Sequence, residues 1–272
     1  MPTPTLDPVP TPPAAQLRHL LTLPEPLICP GVYDGLTARL ALSHSFPALF
    51  VTGAGVSASL LSQADLGLVS LPEMASQLGI AGFHVEDQVM NKRCGHLGGK
   101  ELVGREEYWL RIRAAVKARR ESGRDIVIIA RTDALQKLGF EEAVERVKGA
   151  VREGADVAFL EGIGSEEEGR RWCEVMSPTP CFLNVVAGGV TPNFSVEEAK
   201  KMGYKIVIWP IAALREVYVG VDKTMRELKG TGKIEAREDG RGGIRDVFGV
   251  CRLQDSQAFD EAVGGLSYKG GV

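Results

Sequence analysis

Apolar residues along this chain come in short, nearly unbroken runs, separated by longer stretches where apolar and polar positions alternate with a helical period. The runs fall at 27–29, 48–52, 82–86, 125–130, 157–160, 181–185 and 205–208, and most are dominated by Val, Ile, Leu and Phe. Strands apolar on both faces mark a parallel sheet covered on both sides. The intervening stretches predict helices. One over 105–122 stops at Gly123 and one over 140–153 stops at Gly154, the residue a helix C-terminus prefers. Others are expected over 165–176 and over 195–202, the latter with Ser195 as N-cap and Glu198 three residues on. A short helix near 16–22 and a connecting helix near 71–79 complete the pattern. Polar residues lie at the ends of several different runs, not in one glycine-rich turn after the first. That is how a TIM-type (β/α) barrel, and not an open doubly wound sheet, builds a site. The count is one short, with seven strands where such a barrel has eight, and the gap falls between 52 and 82.

Composition adds limits. With 272 residues, 44% hydrophobic and 25% charged, the chain suits one barrel domain over 16–272, including a C-terminal helical extension. Eight of its 15 prolines fall in the first 26 residues, so 1–15 is expected to be a disordered tail. A net charge of -3 offers no footprint for nucleic acid. No apolar run approaches membrane-spanning length, and the N-terminus has neither the basic nor the apolar region of a secretory signal. The five cysteines form no CxxC pair, which argues against a disulfide framework or structural zinc and for a reducing, cytoplasmic setting.

Chemistry concentrates at the run ends. His84 and Glu86 stand two apart on a strand and so share a face. A carboxylate aimed into a barrel mouth is costly unless paired or bound to a cation, which makes Glu86 a candidate metal ligand or acid/base; salt bridges to nearby loops are the plainer reading. In Lys92-Arg93-Cys94-Gly95-His96 a thiol sits among basic groups, a setting that suits proton transfer at sulfur. Cys29, Cys173, Cys181 and Cys251 lack it and read as small core residues. Thr52-Gly53-Ala54 can turn backbone N–H groups toward an anion. Asp65 reads as a loop acid or helix cap, Arg131 suits a bidentate clamp on a carboxylate, Glu161 ends the next run and Asn184 lies near the end of the one after.

Taken in order, Thr-Gly-Ala-Gly-Val (52–56), Gln-Ala-Asp-Leu-Gly (63–67), His-Val-Glu-Asp-Gln (84–88), Lys-Arg-Cys-Gly-His (92–96), Ala-Arg-Thr-Asp-Ala (130–134) and Phe-Leu-Glu-Gly (159–162) resemble the isocitrate lyase/PEP mutase superfamily over roughly 27–255. Within it the likeness is strongest to the oxaloacetate acetylhydrolase and 2,3-dimethylmalate lyase group, then methylisocitrate lyase. The resemblance implies a Mg²⁺ or Mn²⁺ ion and cleavage of a C–C bond beside a carboxylate in a small 2-oxo or 2-hydroxy di- or tricarboxylate. It implies that Thr52, Gly53 and Ala54 hold the substrate carboxylate, and that Asp65 and Glu86 serve the metal. It makes Cys94 the general acid, on a loop that closes over the site. His84, Gly95, His96, Arg131, Glu161 and Asn184 would complete the substrate shell. It also implies a homo-oligomer, dimer or tetramer, that exchanges the C-terminal helix at 246–263.

One departure is large. Relatives carry an Asp-Ala-Asp-Thr-Gly-Tyr-Gly-type strand before the run at 82, and this chain has none, a loss of roughly 35–40 residues or one βα unit. That strand supplies the acids that do most of the metal binding. Phe50 replaces a Tyr, and Asn184-Val-Val-Ala187 lacks an acid that relatives place at its end. Thr191-Pro-Asn193, where hydrolase and lyase diverge, does not decide between them. Besides a lyase or hydrolase, the pattern leaves open a catalytically inactive barrel that serves as oligomer partner or carboxylate binder.

Overall fold

All seven apolar runs become strands, and every pairing between them is parallel. The computed structural model describes residues 12–63, 65, 80–90, 92–96 and 98–265, so the helix expected near 71–79 lies outside the described residues. The strands are β1 (Leu27–Val32), β2 (Phe50–Val51), β3 (Gly82–Glu86), β4 (Val127–Thr132), β5 (Val157–Leu160), β6 (Cys181–Asn184) and β7 (Ile206–Trp209). Their spatial order is β2-β1-β7-β6-β5-β4-β3, a curled seven-stranded sheet consistent with a TIM-like barrel. β2 and β3 are its two edges, and β2 is shorter than its apolar run predicts.

Period-two alternation sorts the strand residues into two cores. Leu27, Cys29, Val127, Ile129, Val157, Phe159, Phe182, Ile206 and Ile208 face the concave side, with Phe50 packed against them. Helix α1 (Pro13–Thr22) lies across the N-terminal ends of the strands. Its Leu17 and Leu21 join this core, and its Arg18 reaches Asp125 at 2.9 Å and Asp156 at 3.0 Å. The helix starts three residues earlier than expected, with Pro13 at the first helical position, where its missing N–H costs nothing.

The alternate residues, Ile128, Ala130, Ala158, Leu160, Leu183 and Val207, face the outer helices. After α2 (Gly35–Ser43) and α3 (Gly53–Val56), these are α4 (Arg105–Ser122), α5 (Leu135–Leu138), α6 (Phe140–Arg152), α7 (Glu166–Met176) and α8 (Val196–Met202). Ser195 caps α8 in a full capping box with Glu198, as its sequence predicts.

Beyond β7 the chain behaves differently. Helix α9 (Ala212–Thr231) buries no residue, nor do α10 (Ile244–Val250) and α11 (Leu253–Ala262). The single helix expected over 246–263 is therefore two. Cys251 and Arg252 break it, with Arg252 in the left-handed region at φ 65°, and Cys251 is exposed, not a core residue. Between α2 and α9 runs an apolar groove of about 500 Å³, lined among others by Leu40, Ala41, Phe46, Val217 and Val221.

Candidate active site at the C-terminal rim

The same alternation that fills the concave core fixes what stands at its mouth. Two residues beyond the inward Phe50, His84, Ile129, Phe159 and Phe182 come Thr52, Glu86, Arg131, Glu161 and Asn184. Each is the last inward position of its strand or the residue just past it. Five strands thus deliver five polar side chains to one rim.

Four of them interlock. Glu161, 1% exposed, takes Asn184 Nδ2 on Oε1 at 3.2 Å and on Oε2 at 3.1 Å, and meets Arg131 Nη2 at 3.1 Å. Arg131 also holds Asp133 in a fork, Nε at 2.9 Å and Nη2 at 3.1 Å, and lies 3.3 Å from Glu86 Oε2. The clamp expected for a substrate carboxylate is thus already closed on the chain's own acids. Burial pushes the Glu86 carboxyl above its ordinary value, against the pull of Arg131 and Lys92.

The loop bearing the thiol is pinned at several points. Gln88 and Arg93 exchange side-chain-to-backbone bonds at 2.9 and 3.0 Å, and Gln88 bridges to Leu102 across the loop's base. Lys100, 5% exposed, donates to Gly95 O at 2.5 Å and lies 3.3 Å from Asp133. Gly95 rests directly on the rim: a Cβ there would stand 2.4 Å from Arg131 Nη2 and 2.5 Å from Glu161 Cγ. Cys94, half-buried and free, is therefore held between two anchored residues.

Its basic neighbours do not act as the motif suggests. Arg93 turns outward to Gly98 O. Lys92 goes to acids. His96 is pushed below its ordinary value, mainly by burial. Its Nδ1 accepts the Val190 N–H at 3.2 Å, leaving Nε2, 3.3 Å from Glu161 Oε1, as the protonated nitrogen. The imidazole thus donates to the Glu161 carboxyl.

His84 sits deeper. Its ring stacks near Phe50, with centroids 6.1 Å apart, and lies edge-on to Phe159 at 6.0 Å. Burial first, then Arg131 and Lys92, push it down to about 3, so it is a neutral aromatic wall. On the β2 side, Thr52 caps α3 by accepting from Gly55 N and gives its own N–H to Val32 O. Gly53 lies beside Asp65, whose Oδ2 would be 3.2 Å from a Cβ there. Ala54 is half-buried in the same helical turn.

Asp65 and Glu86 are brought together, but around a lysine: Lys92 Nζ is 3.3 Å from Asp65 Oδ2 and 3.7 Å from Glu86 Oε1. Among the described residues no three His, Cys, Asp or Glu are grouped to hold a metal, and the sequence between 65 and 86 has one further acid, Glu73, outside them. Mg²⁺ keeps several waters and is held by one or two carboxylates, but the two that converge here already have Lys92 Nζ between them. The residue set does not fit Mg²⁺ or Mn²⁺.

Sequence reasoning missed an inner layer. Asp87, fully buried, accepts from Thr132 Oγ1 at 2.6 Å, Asp133 N at 2.9 Å and Arg146 Nη1 at 3.1 Å, locking β3 to β4 and α6. Asp133 and Lys100 belong to the same framework. Among the described residues two buried polar atoms here, Asn184 Oδ1 and Thr191 Oγ1, have no hydrogen-bond partner, and Glu86 Oε2 has only its ion pair with Arg131 Nε at 3.3 Å. Buried polar groups rarely stay unsatisfied, so such a cluster marks where a polar ligand belongs.

The curled parallel sheet is consistent with a TIM-like barrel, and the polar rim lies at the C-terminal ends of its strands, where enzymes of that fold carry their sites. The family model for phosphoenolpyruvate phosphomutase matches residues 72–229. A 2-methylisocitrate lyase of Aeropyrum pernix is 36% identical over 258 residues, covering 81% of this chain and 82% of that protein. A solved 2,3-dimethylmalate lyase superposes with a TM-score of 0.92 at 41% identity, covering 97% of this chain and 99% of the other. An oxaloacetate acetylhydrolase solved with 3,3-difluorooxalacetate gives 0.89 at 40% identity, covering 94% and 98%. The chain belongs to the PEP mutase/isocitrate lyase superfamily, and its relatives are carbon–carbon lyases and hydrolases. No helix among the described residues is long and apolar enough to cross a membrane.

Proposed function

We propose that this chain binds a small 2-oxo or 2-hydroxy di- or tricarboxylate at the rim and cleaves the C–C bond beside a carboxylate. The observation that carries this reading is the pair of buried atoms without a hydrogen bond, Asn184 Oδ1 and Thr191 Oγ1, at a rim on which Gly95 of the thiol loop rests. Asn184 Oδ1 takes a donor such as a 2-hydroxyl. Thr191 and the first-turn N–H groups at Gly53 and Ala54 receive carboxylate oxygens, since a helix start leaves its N–H groups without internal acceptors. Glu86, made more basic by burial, accepts the proton of the 2-hydroxyl, which a 2-oxo acid acquires when water adds to its carbonyl. Cleavage leaves an electron pair on the departing carbon, and the Cys94 thiol supplies the proton that quenches it. Arg131, Asp133 and Lys100 hold the loop and the acids in place. The divalent ion implied by the family does not fit the residues present, with Lys92 Nζ between Asp65 and Glu86.

Support for a missing βα unit comes from two sides. The 258 aligned positions of the A. pernix relative fall on 81% of 272 residues, or about 220, leaving about 38 positions without a counterpart, the size of one such unit. The strands flanking the gap at 52–82, β2 and β3, are the two sheet edges. The lysine between the candidate metal acids favours a second reading, a carboxylate binder without turnover. The exposed apolar stripe of α9 and the adjoining groove support a homo-oligomer in which a second copy covers them.

Chromatographic detection of products from oxaloacetate, 2,3-dimethylmalate and 2-methylisocitrate tests the leading reading. Turnover of one, reduced 10²–10⁴-fold in Cys94→Ser, is expected of a general acid. Turnover indifferent to that change overturns the role of the thiol. Oxalate binding with no turnover of any of the three establishes the binder.

A further inference from the structure

We propose that in this chain the Lys92 ammonium stands in the cation's place between Asp65 and Glu86, so that the rim takes a small dicarboxylate without a divalent ion. This rests on the carboxylate-site reading above. The two acids come from different parts of the chain, one after the turn that follows β2 and one from the end of β3, and they converge on Nζ at 3.3 and 3.7 Å. All three side chains are largely shielded, 27% exposed for Lys92, 15% for Asp65 and 14% for Glu86. Two shielded carboxylates sharing a site need a cation, because the repulsion between them is poorly screened.

The backbone aims the lysine there. Reciprocal bonds between Gln88 and Arg93 fix the residue that follows it. Arg111 Nη1 grips Glu86 O at 3.1 Å and Gln88 O at 2.6 Å, fixing the strand end that it faces. Lys92 is thus built into position by its own loop.

The ammonium then stands in a divalent ion's way. Lys92 lies against both acids, while Arg131, 3.3 Å from Glu86, shares its charge among Glu86, Asp133 and Glu161. Mg²⁺ would have to displace that ammonium, because both carboxylates it could use converge on Nζ, and it would then need a near-octahedral set of oxygens. An ammonium has no such demand. It carries three donors on a flexible stem and needs no fixed coordination geometry. Ammonium and metal therefore exclude one another at this point.

The test uses the full chain and two probes. Oxalate is titrated calorimetrically in EDTA and in excess Mg²⁺, with affinities compared at equal free oxalate. Agreement within about threefold is expected, and a gain of tenfold or more with Mg²⁺ overturns the proposal. In the second arm, Mn²⁺ binding is read by electron paramagnetic resonance in the wild type, Lys92→Gln and Lys92→Arg, each checked for an intact thermal transition. Removing the ammonium frees both acids, so Lys92→Gln should bind Mn²⁺ at least about tenfold more tightly than the wild type, while Lys92→Arg should not. Equal or weaker Mn²⁺ binding by Lys92→Gln overturns the assignment. Should oxalate bind in neither condition, the carboxylate reading of the rim fails, and the Mn²⁺ comparison still decides where the lysine stands.

Discussion

All six residues of β4 are buried, while not one of the twenty in α9 is. Both elements carry a clean apolar pattern. In β4 it is continuous, because one side meets the concave core and the other meets α4 and α6. In α9 it is a stripe, Leu214, Val217, Val221, Met225 and Leu228, at helical spacing. Val221 and Met225 nevertheless remain 50% and 53% exposed. Apolar periodicity states what a segment needs to cover, and it is silent on whether the cover comes from the same chain. The β4 wall is self-sufficient. The α9 arm has a partner-shaped deficit, which the proposed second copy would fill.

The comparison breaks most sharply at Arg131. On the β4 side its guanidinium holds Glu86, Asp133 and Glu161, the last two fully or almost fully buried. Arg131→Met leaves these acids facing one another without compensation, and removing one partner of a buried ionic network costs about 3–5 kcal/mol. Urea unfolding should show a loss of that order. A loss below about 1 kcal/mol would mean that the network is not what makes this wall rigid.

A smaller effect is expected at Gly95, where the thiol loop touches that wall. Its φ is unremarkable, and the reason for glycine is contact: any Cβ collides with Arg131 and Glu161, groups themselves held by Asp133 and Asn184. Gly95→Ala should lift the loop at about 1–3 kcal/mol, the usual range for overpacking. It should also weaken oxalate binding. Unchanged stability together with unchanged oxalate affinity would show that the loop does not rest on the rim.

How far the sequence discloses this arrangement differs between the same two regions. The seven strands were legible because buried parallel strands write themselves as apolar runs, and the ends of α4 and α6 because glycine follows them. Glu86, Arg131, Glu161 and Asn184 were legible as last inward residues once each strand's phase was known. Asp87, Asp133 and Lys100 were not. Their partners lie across the fold, so nothing local in the sequence distinguishes a buried acid bonded to Thr132 and Arg146 from a solvated one. Lys92 was read as a neighbour of the thiol, whereas its reach to Asp65, 27 residues away, depends on how two loops converge. The longest helix, α9, has no counterpart in the sequence reading although it follows β7 and ends at Gly232, and the break at Arg252 falls at a non-glycine residue in the left-handed region.

The mildest change in folding stability is expected at Val221, and it sharpens the contrast because the same chemical change is ruinous elsewhere. Val221 is half exposed on the groove between α2 and α9. Val221→Glu therefore adds a carboxylate that water can reach, and surface changes away from special features stay within about 0.5 kcal/mol. At Val147, fully buried under β4, the same substitution would bury an unpaired charge and unfold the wall. If a second copy covers the α9 stripe, Val221→Glu should leave the urea midpoint at low protein concentration nearly unchanged while shifting the sedimenting mass toward that of one chain. A mass that does not move would assign the stripe to solvent. A midpoint that falls as far as for Val147→Glu would show instead that α9 packs on its own barrel, and the difference between the two regions would vanish.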